Sequence, residues 1–196
     1  MNVREAILSR RSIRKYTNQP VSDEDLNDLI EAATYAPSGT NLQPWYFLAL
    51  RSDESMAKFK VFMRKTAENF MPVLRERFAK NPEVIDETRN FLLGLGGAPL
   101  CVLVFMLKDA KSDKNYDDNF TLLQSVSAGI ENLLLAAVEK GLGACWMTAP
   151  VKAGLSEDIR KEFAPDHGQF VAAITLGYPD ANPGAPKRRE GRFDVI

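Results

Sequence analysis

Residues 100–107 read LCVLVFML, a continuous apolar run rich in residues that favour strands. Alternating polar and apolar residues would indicate a strand with one solvated face, whereas an unbroken run of this length is typical of a strand covered on both faces. The run therefore predicts the central strand of a sheet that is packed on both sides.

Helices and shorter strands surround this run along the chain. Ser22 is a credible N-cap for one of the helices, and Pro72 is expected to kink or break another. Mixed helices and strands predict an α+β sandwich. The predicted helices cover 3–10, 22–36, 54–80, 83–93, 119–140 and 152–163, and the other predicted strands cover 45–50, 144–147 and 170–176.

Two segments are expected to need more apolar cover than one chain of this size supplies. The helix 119–140 is apolar over much of its circumference, so it is expected to be buried, in part between subunits. The tail 178–196 contains three prolines and then a basic cluster, with little local core. Such a tail is either disordered or extends onto a partner subunit.

The composition favours a single intracellular domain that spans residues 1–196. The chain has 196 residues, 45% of them hydrophobic, and a formal net charge of -1, which gives no basic field for nucleic acid. Cys101 and Cys145 lie in apolar runs without CxxC spacing, as expected of free buried thiols in a reducing compartment. No signal peptide or membrane span is evident, so we expect a cytoplasmic protein.

The first candidate site is a basic cluster directly after the first helix. It contains Arg10, Arg11, Ser12, Arg14 and Lys15. Guanidinium groups can donate to two phosphate oxygens at once, and a serine hydroxyl adds a short donor, so the cluster suits a phosphomonoester. The alternative is a solvated charged turn, since short basic runs are common on surfaces.

The second candidate is the polar loop APSGTNLQPW at residues 36–45. Turn-forming residues in it present hydroxyl and amide groups next to a tryptophan. Asn41 and Gln43 each offer a donor and an acceptor, which matches the alternating edge of a flavin or pyrimidine-like ring. The alternative is a plain connection between a helix and a strand.

Two weaker candidates are the glycine-containing segment 141–148, GLGACWMT, and the basic tail cluster PKRR at 186–189. Small residues let a backbone approach a flat ligand closely. Neither 141–148 nor the glycines at 94–97 follow a strand and open a helix, so a Rossmann fingerprint is not indicated. The tail cluster could close over the phosphate of the first cluster, or it could be a solvated charged tail.

The remaining sequence argues against side-chain catalysis and against a metal site. The single histidine, His167, lies in a predicted surface turn, and HExxH and P-loop motifs are absent from the sequence. With phosphate-binding candidates at both ends of the chain and no catalytic base, a bound cofactor is expected to perform the chemistry.

Taken in their order along the chain, the candidate segments resemble those of the nitroreductase family of flavoproteins. RRSIR at 10–14 is similar to the family's RRSxR signature, and PSGTNLQPW at 37–45 is similar to its PSxxNxQPW loop. The pair AP at 98–99, GLGACW at 141–146 and GYP at 177–179 with PKRR at 186–189 complete the series.

The resemblance implies the fold and the quaternary structure. The expected fold is a three-layer α+β sandwich whose central sheet is mixed, mainly antiparallel and flanked by helices. The expected assembly is an intertwined homodimer that binds FMN in its interface, with the tail 178–196 lying on the partner. No nucleic-acid or membrane partner is expected.

The resemblance also assigns the cofactor-binding residues. One group would hold the FMN phosphate, a loop would serve the cofactor of the partner subunit, and the segment after GLGxxW would lie along the ring with a backbone N–H at N5. Contacts from residues 60–95 stay unassigned, and no catalytic side chain is expected. The phosphate group is Arg10, Arg11, Ser12, Arg14, Lys187 and Arg189. The loop that serves the partner's cofactor contributes Pro37, Ser38, Gly39, Asn41 and Gln43, and the segment along the ring contributes Trp146, Met147 and Thr148.

The implied activity is ping-pong transfer of a hydride from NADH or NADPH through flavin N5 to a small electron-poor acceptor, such as a nitroaromatic or a quinone. Two alternatives stay open. One is another flavin enzyme of the same superfamily, a reductive dehalogenase or a flavin-cleaving enzyme. The other is a non-catalytic module that binds phosphate ligands or nucleic acid through the two basic clusters.

Overall fold

A computed structural model describes residues 1–107 and 118–196. Its longer elements agree with the predicted positions, including α2 after its Ser22 cap, whose side chain accepts from Asp25 N. The helices are α1 (Val3–Ser9), α2 (Asp23–Thr34), α3 (Asp53–Arg77), α4 (Pro82–Gly94), α5 (Asp118–Glu139), α6 (Ala149–Lys152) and α7 (Ser156–Phe163), and the strands are β1 (Trp45–Leu50), β2 (Leu100–Met106), β3 (Gly143–Met147) and β4 (Gln169–Gly177).

The four strands form one sheet in the order β1-β2-β4-β3, and each neighbouring pair is antiparallel. Every residue of β2 is buried, which confirms it as the central strand. The parallel component of the expected mixed sheet is confined, in the described residues, to a single bridge between Ser12 and Ala144.

Helices cover both faces of the sheet, so the structure has three layers. Alternate residues of β2 separate into two cores: Val102 and Val104 face α2 and α5, whereas Leu103 and Phe105 face α3, α4 and α7. Successive side chains of a strand point to opposite faces, and covering both faces requires the continuous apolar run seen in the sequence.

Two helix boundaries differ from the predicted ones. Pro72 lies inside α3, which continues to Arg77 without a break. The side chain of Pro72 is exposed, so water can satisfy the backbone carbonyl that proline leaves without a donor. The single helix expected over 152–163 is instead two helices, because Gly154 adopts a left-handed φ of 79° between α6 and α7.

The apolar helix α5 is mainly a core helix of its own chain. By length and composition alone, the stretch Phe120–Glu139 could cross a membrane, a test that the buried core helix of a protein also passes. Its side chains Val126, Ile130 and Leu133 are almost completely buried against the sheet and α2. Phe120 and Leu123 at the start of the helix stay exposed, 61% and 44%.

Candidate functional site

The basic cluster is an extended segment that lies along β3. The backbone N–H of Ile13 donates to the carbonyl of Ala144 over 2.9 Å, and Ser12 and Ala144 form the parallel bridge. Further along, the N–H of Tyr16 donates to the carbonyl of Gly96 over 3.0 Å. The fold therefore brings together three segments that are remote in sequence: 10–17, 94–97 and 141–147.

Two glycines allow this close approach. A Cβ on Gly143 would lie 2.7 Å from Ile13, and a Cβ on Gly96 would lie 2.2 Å from the carbonyl oxygen of Arg14. Both distances are well below van der Waals contact, and Gly96 also has a φ of 64°. These glycines therefore position the basic segment, a role that the sequence did not reveal.

A buried tyrosine fixes the end of the basic segment. Tyr16 is 6% exposed, and its hydroxyl donates to the carbonyl of Ile13 over 2.6 Å. It also lies 2.8 Å from the hydroxyl oxygen of Thr175 on β4. Burial raises the pKa of Tyr16 well above its ordinary value, so the phenol stays protonated and can donate throughout the physiological range.

A cleft of about 810 Å³ lies between the basic segment and α4. Ser12, Arg14 and Lys15 form one wall, and residues of α4 and the turn after it form the other. The tail contributes Ala181 and Pro183. The remaining lining residues are Phe78, Val84, Glu87, Thr88, Asn90, Phe91, Gly94 and Gly96.

Arg14 contacts two groups of the surrounding structure. Its guanidinium carbon lies 5.9 Å from the centroid of the Phe91 ring, within the range of a cation–π interaction. Burial raises the pKa of the Cys145 thiol, and the nearby Arg14 partly opposes this shift. Cys145 is a buried free thiol, as the sequence predicted, and its raised pKa disfavours the reactive thiolate. The burial of Cys101 has the same effect on its pKa.

The other two arginines of the cluster point elsewhere. Arg10 forms an ion pair with Glu131 of α5 at 3.2 Å. Arg11 donates to the carbonyls of Leu8 and Arg10 over 2.8 and 2.7 Å and lines a separate cleft of about 530 Å³. The cluster therefore does not form one cationic surface in the single chain.

The polar loop contains strained backbone. Thr40, Asn41 and Gln43 have φ of 48°, 57° and 49°, which is the left-handed region that residues other than glycine rarely adopt. Local bonds maintain this conformation: Gln43 N donates to Ser38 Oγ over 3.0 Å, and Gln43 Nε2 donates to Asn41 Oδ1 over 3.1 Å. Strain of this kind is commonly retained at ligand sites.

The polar loop lies against α5 rather than in the cleft of the same chain. Gly39 N donates to Ser125 Oγ over 3.3 Å, and Pro37 and Asn41 are exposed. None of the loop residues is among the described residues that line the cleft.

The residues predicted at the end of β3 have different surroundings. Trp146 is half-buried, and its indole Nε1 is buried without a hydrogen-bond partner among the described residues. The side chain of Met147 is 5% exposed and packs in the core between the sheet and helices α3, α4 and α7. Thr148 is exposed and precedes α6.

The basic tail residues Lys187 and Arg189 are exposed, as are all residues from Pro179 to Ile196. The ion pairs formed between described residues do not include either of them. Both side chains are therefore available to a ligand or to another subunit.

His167 is not the surface side chain that the sequence suggested. It is half-buried and stacks on Tyr46, with ring centroids 3.6 Å apart. Its Nδ1 is buried without a partner among the described residues. The turn around it faces a cavity of about 500 Å³ that also contains Glu157 and Arg160 but none of the predicted site residues.

Comparison with known proteins identifies relatives over nearly the whole chain. The sequence model of the nitroreductase family matches residues 7–178. YfhC of Bacillus subtilis (strain 168), which carries a provisional NAD(P)H nitroreductase name, is 32% identical over 95% of this chain and 89% of its own. An iodotyrosine deiodinase of Thermotoga neapolitana is 29% identical over 95% of this chain and 91% of its own.

Solved structures confirm the fold. A nitroreductase-type protein from Desulfovibrio desulfuricans, solved in complex with FMN, has a TM-score of 0.72 at 27% identity. The match covers 100% of this chain and 98% of that chain. The three-layer α+β sandwich expected from the sequence is therefore the fold of known flavoproteins.

Proposed function

The chain belongs to the nitroreductase family, and from this membership we propose that it is an FMN-dependent oxidoreductase that transfers hydride from NADH or NADPH to a small electron-poor acceptor such as a nitroaromatic or a quinone. The observation that carries the proposal is the cleft in which Ser12, Arg14 and Lys15 face α4. FMN, when bound, supplies a ring that accepts a hydride and releases it again.

The lining of the cleft fits a phosphate-bearing cofactor. Its volume of about 810 Å³ lies within the roughly 300–1,000 Å³ of ligand pockets. Two cationic side chains and the hydroxyl of Ser12 can donate charge-assisted hydrogen bonds to a phosphate. The backbone that carries them is fixed by Tyr16, Gly96 and Gly143, so binding costs little ordering of the chain.

The proposed roles of the site residues combine this arrangement with the resemblance to the family. Arg11 lines a separate cleft in the single chain and would have to turn toward the phosphate. We assign the phosphate to Arg10, Arg11, Ser12 and Arg14 together with Lys187 and Arg189 of the tail. Arg10 would exchange its partly exposed ion pair with Glu131 for the phosphate. Exposed pairs contribute only about 0–1 kcal/mol, so this exchange is inexpensive. The backbone at residues 146–148 is assigned to the edge of the ring.

We further propose that the functional unit is a homodimer. Large apolar side chains are exposed at the start of α5 and in the tail, where Phe193 is 84% and Val195 is 90% exposed. An apolar surface of this kind favours association. The polar loop 37–43 lies outside the cleft of its own chain, which is consistent with its assignment to the cofactor of the partner.

A titration of the purified protein with FMN tests the cofactor assignment. Flavin absorption that stays with the protein, together with FMN-dependent oxidation of NADH or NADPH, would support the enzyme; a colourless protein that does not bind added FMN would refute it.

Arg14→Ala and Arg189→Ala are each expected to weaken FMN binding about ten-fold or more, because each removes a charge-assisted hydrogen bond of about 1.5–3 kcal/mol. Unchanged affinity in both variants would refute the phosphate assignment.

The dimer is tested by light scattering on a size-exclusion column and by thermal melts with and without FMN. FMN at about a hundred-fold excess over its Kd should stabilise the protein by roughly 2.7 kcal/mol. A variant without residues 178–196 should lose FMN and dimerise poorly. A wild-type monomer that binds one FMN per chain, or a deletion that keeps both properties, would contradict the interface site.

A second candidate function is reductive dehalogenation, since an iodotyrosine deiodinase aligns with 95% of this chain. That reaction would use two electrons supplied by NADH or NADPH and one proton from solvent to replace a carbon–halogen bond by a carbon–hydrogen bond, and it would release halide. Halide release from a halogenated phenol, measured beside reduction of a nitroaromatic under the same conditions, distinguishes the two candidates.

A further inference from the structure

One stripe of α4 faces the basic segment across the cleft. The residues of this stripe are Val84, Glu87, Thr88 and Phe91, at positions i, i+3, i+4 and i+7. Residues at this spacing lie on one face of a helix. The wall opposite the basic segment is therefore a defined surface, with polar groups at its centre and apolar side chains at its ends.

The stripe carries the single carboxylate among the described residues that line the cleft, that of Glu87. The cations on the opposite wall are Arg14 and Lys15. None of the ion pairs between described residues joins Glu87 to either of them. Glu87 is also exposed, so its charge is presented to whatever enters the cleft.

The balance of charge changes when a phosphate binds. The proposed function assigns the basic segment and the tail to the FMN phosphate, which carries up to two negative charges and so offsets part of the positive charge on that wall of the cleft. Glu87 lies on the opposite wall and forms no ion pair with a described residue, so its carboxylate acts directly on a second ligand that binds between the walls. A negative charge on that ligand at about 5 Å would be disfavoured roughly four-fold in water, and more strongly where water is displaced.

We propose that Glu87 is a specificity-determining residue that selects neutral or cationic acceptors over anionic ones. This inference rests on the proposed function, because it concerns the second substrate of the same cleft. It names a substrate class that family membership leaves open: electron-poor compounds without a carboxylate or sulfonate.

The experiment compares nitrobenzene, which is neutral, with 4-nitrobenzoate, which is anionic, on protein saturated with FMN. The ratio of kcat/KM for the anionic over the neutral acceptor is measured in wild type, Glu87→Gln and Glu87→Lys. Asp86→Asn is the matched control: it removes the same charge from the neighbouring residue, which does not line the cleft. Binding of benzoate and benzamide by calorimetry gives a readout that does not depend on turnover.

The ratio should rise at least about three-fold in Glu87→Gln and further in Glu87→Lys, while Asp86→Asn stays within about two-fold of wild type. The Kd of benzoate should fall in the same order, with that of benzamide unchanged. The role of Glu87 would be overturned if wild type and Glu87→Lys had the same ratio of kcat/KM values, or if Asp86→Asn changed this ratio as much as Glu87→Gln does. The proposed function would stand in either case. A wild type that neither binds FMN nor oxidises NAD(P)H would instead overturn the proposed function.

Discussion

Replacing Tyr16 by phenylalanine removes one hydroxyl from the interior and leaves the ring in place. The hydroxyl donates to the carbonyl of Ile13 over 2.6 Å and lies 2.8 Å from Thr175 Oγ1, whose residue is completely buried. The variant therefore removes the hydrogen bond from Tyr16 to Ile13 within the basic segment and the hydrogen bond between Tyr16 and Thr175, which joins the segment to β4.

The expected loss of stability follows from these two bonds. A buried hydrogen bond contributes about 0.5–1.5 kcal/mol net, and a buried group left without a partner costs about 1–3 kcal/mol. We expect Tyr16→Phe to lower the free energy of unfolding by about 2 kcal/mol. For a chain of this length that corresponds to a fall in Tm of roughly 4–8 °C.

Urea unfolding at one fixed protein concentration and without FMN measures this loss. Thr175→Val and the double variant complete a double-mutant cycle. The loss of unfolding free energy in the double variant should be about 1 kcal/mol smaller than the sum of the two single losses, because both single variants remove the same hydrogen bond. Tyr35→Phe is the control, since Tyr35 is 79% exposed and its hydroxyl stays hydrated. A loss below about 0.5 kcal/mol for Tyr16→Phe, or strictly additive losses, would refute the anchoring role.

Thr40→Gly should raise Tm by about 1–4 °C, because glycine relieves the left-handed backbone; calorimetry that shows an unchanged or lower Tm would contradict the strain. Paired with Arg160, Glu157 has its pKa lowered from 4.5 to about 2, so its stabilisation is present above about pH 4.5 and lost as the pH falls toward 2. The Tm difference between wild type and Glu157→Gln should close over that window, and a difference constant from pH 7 to 2 would exclude the pair as its source. His167→Ala should change kcat by less than roughly ten-fold while lowering Tm through its lost stacking on Tyr46; a larger fall in kcat would reveal a proton donor.

The central strand and the larger helices could be predicted because their signals are local. The unbroken run 100–107 became β2, and Ser22 caps α2 as expected. The basic cluster and the polar loop were also recognised as candidate sites from residue types alone. The loop proved to be strained, which no residue type indicates, because strain depends on the backbone conformation that the surrounding fold imposes.

The errors came from features whose outcome depends on solvent and on distant neighbours. Pro72 did not end α3, because the residue is exposed and water can satisfy the carbonyl that it leaves without a donor. The single helix predicted over 152–163 divides at Gly154, where the backbone takes a left-handed turn. His167 was expected on the surface, but β1 supplies the ring of Tyr46 on which it stacks.

By itself the sequence determined the layer architecture, the identity of the basic cluster and the family to which the chain belongs, since apolar periodicity and short motifs are properties of contiguous residues. The cleft was decided only by the tertiary structure. Its two walls, the basic segment and the stripe around Glu87, are more than sixty residues apart in the chain. They face each other because Gly96 and Gly143 lack the side-chain atoms that would hold the basic segment away from its neighbours.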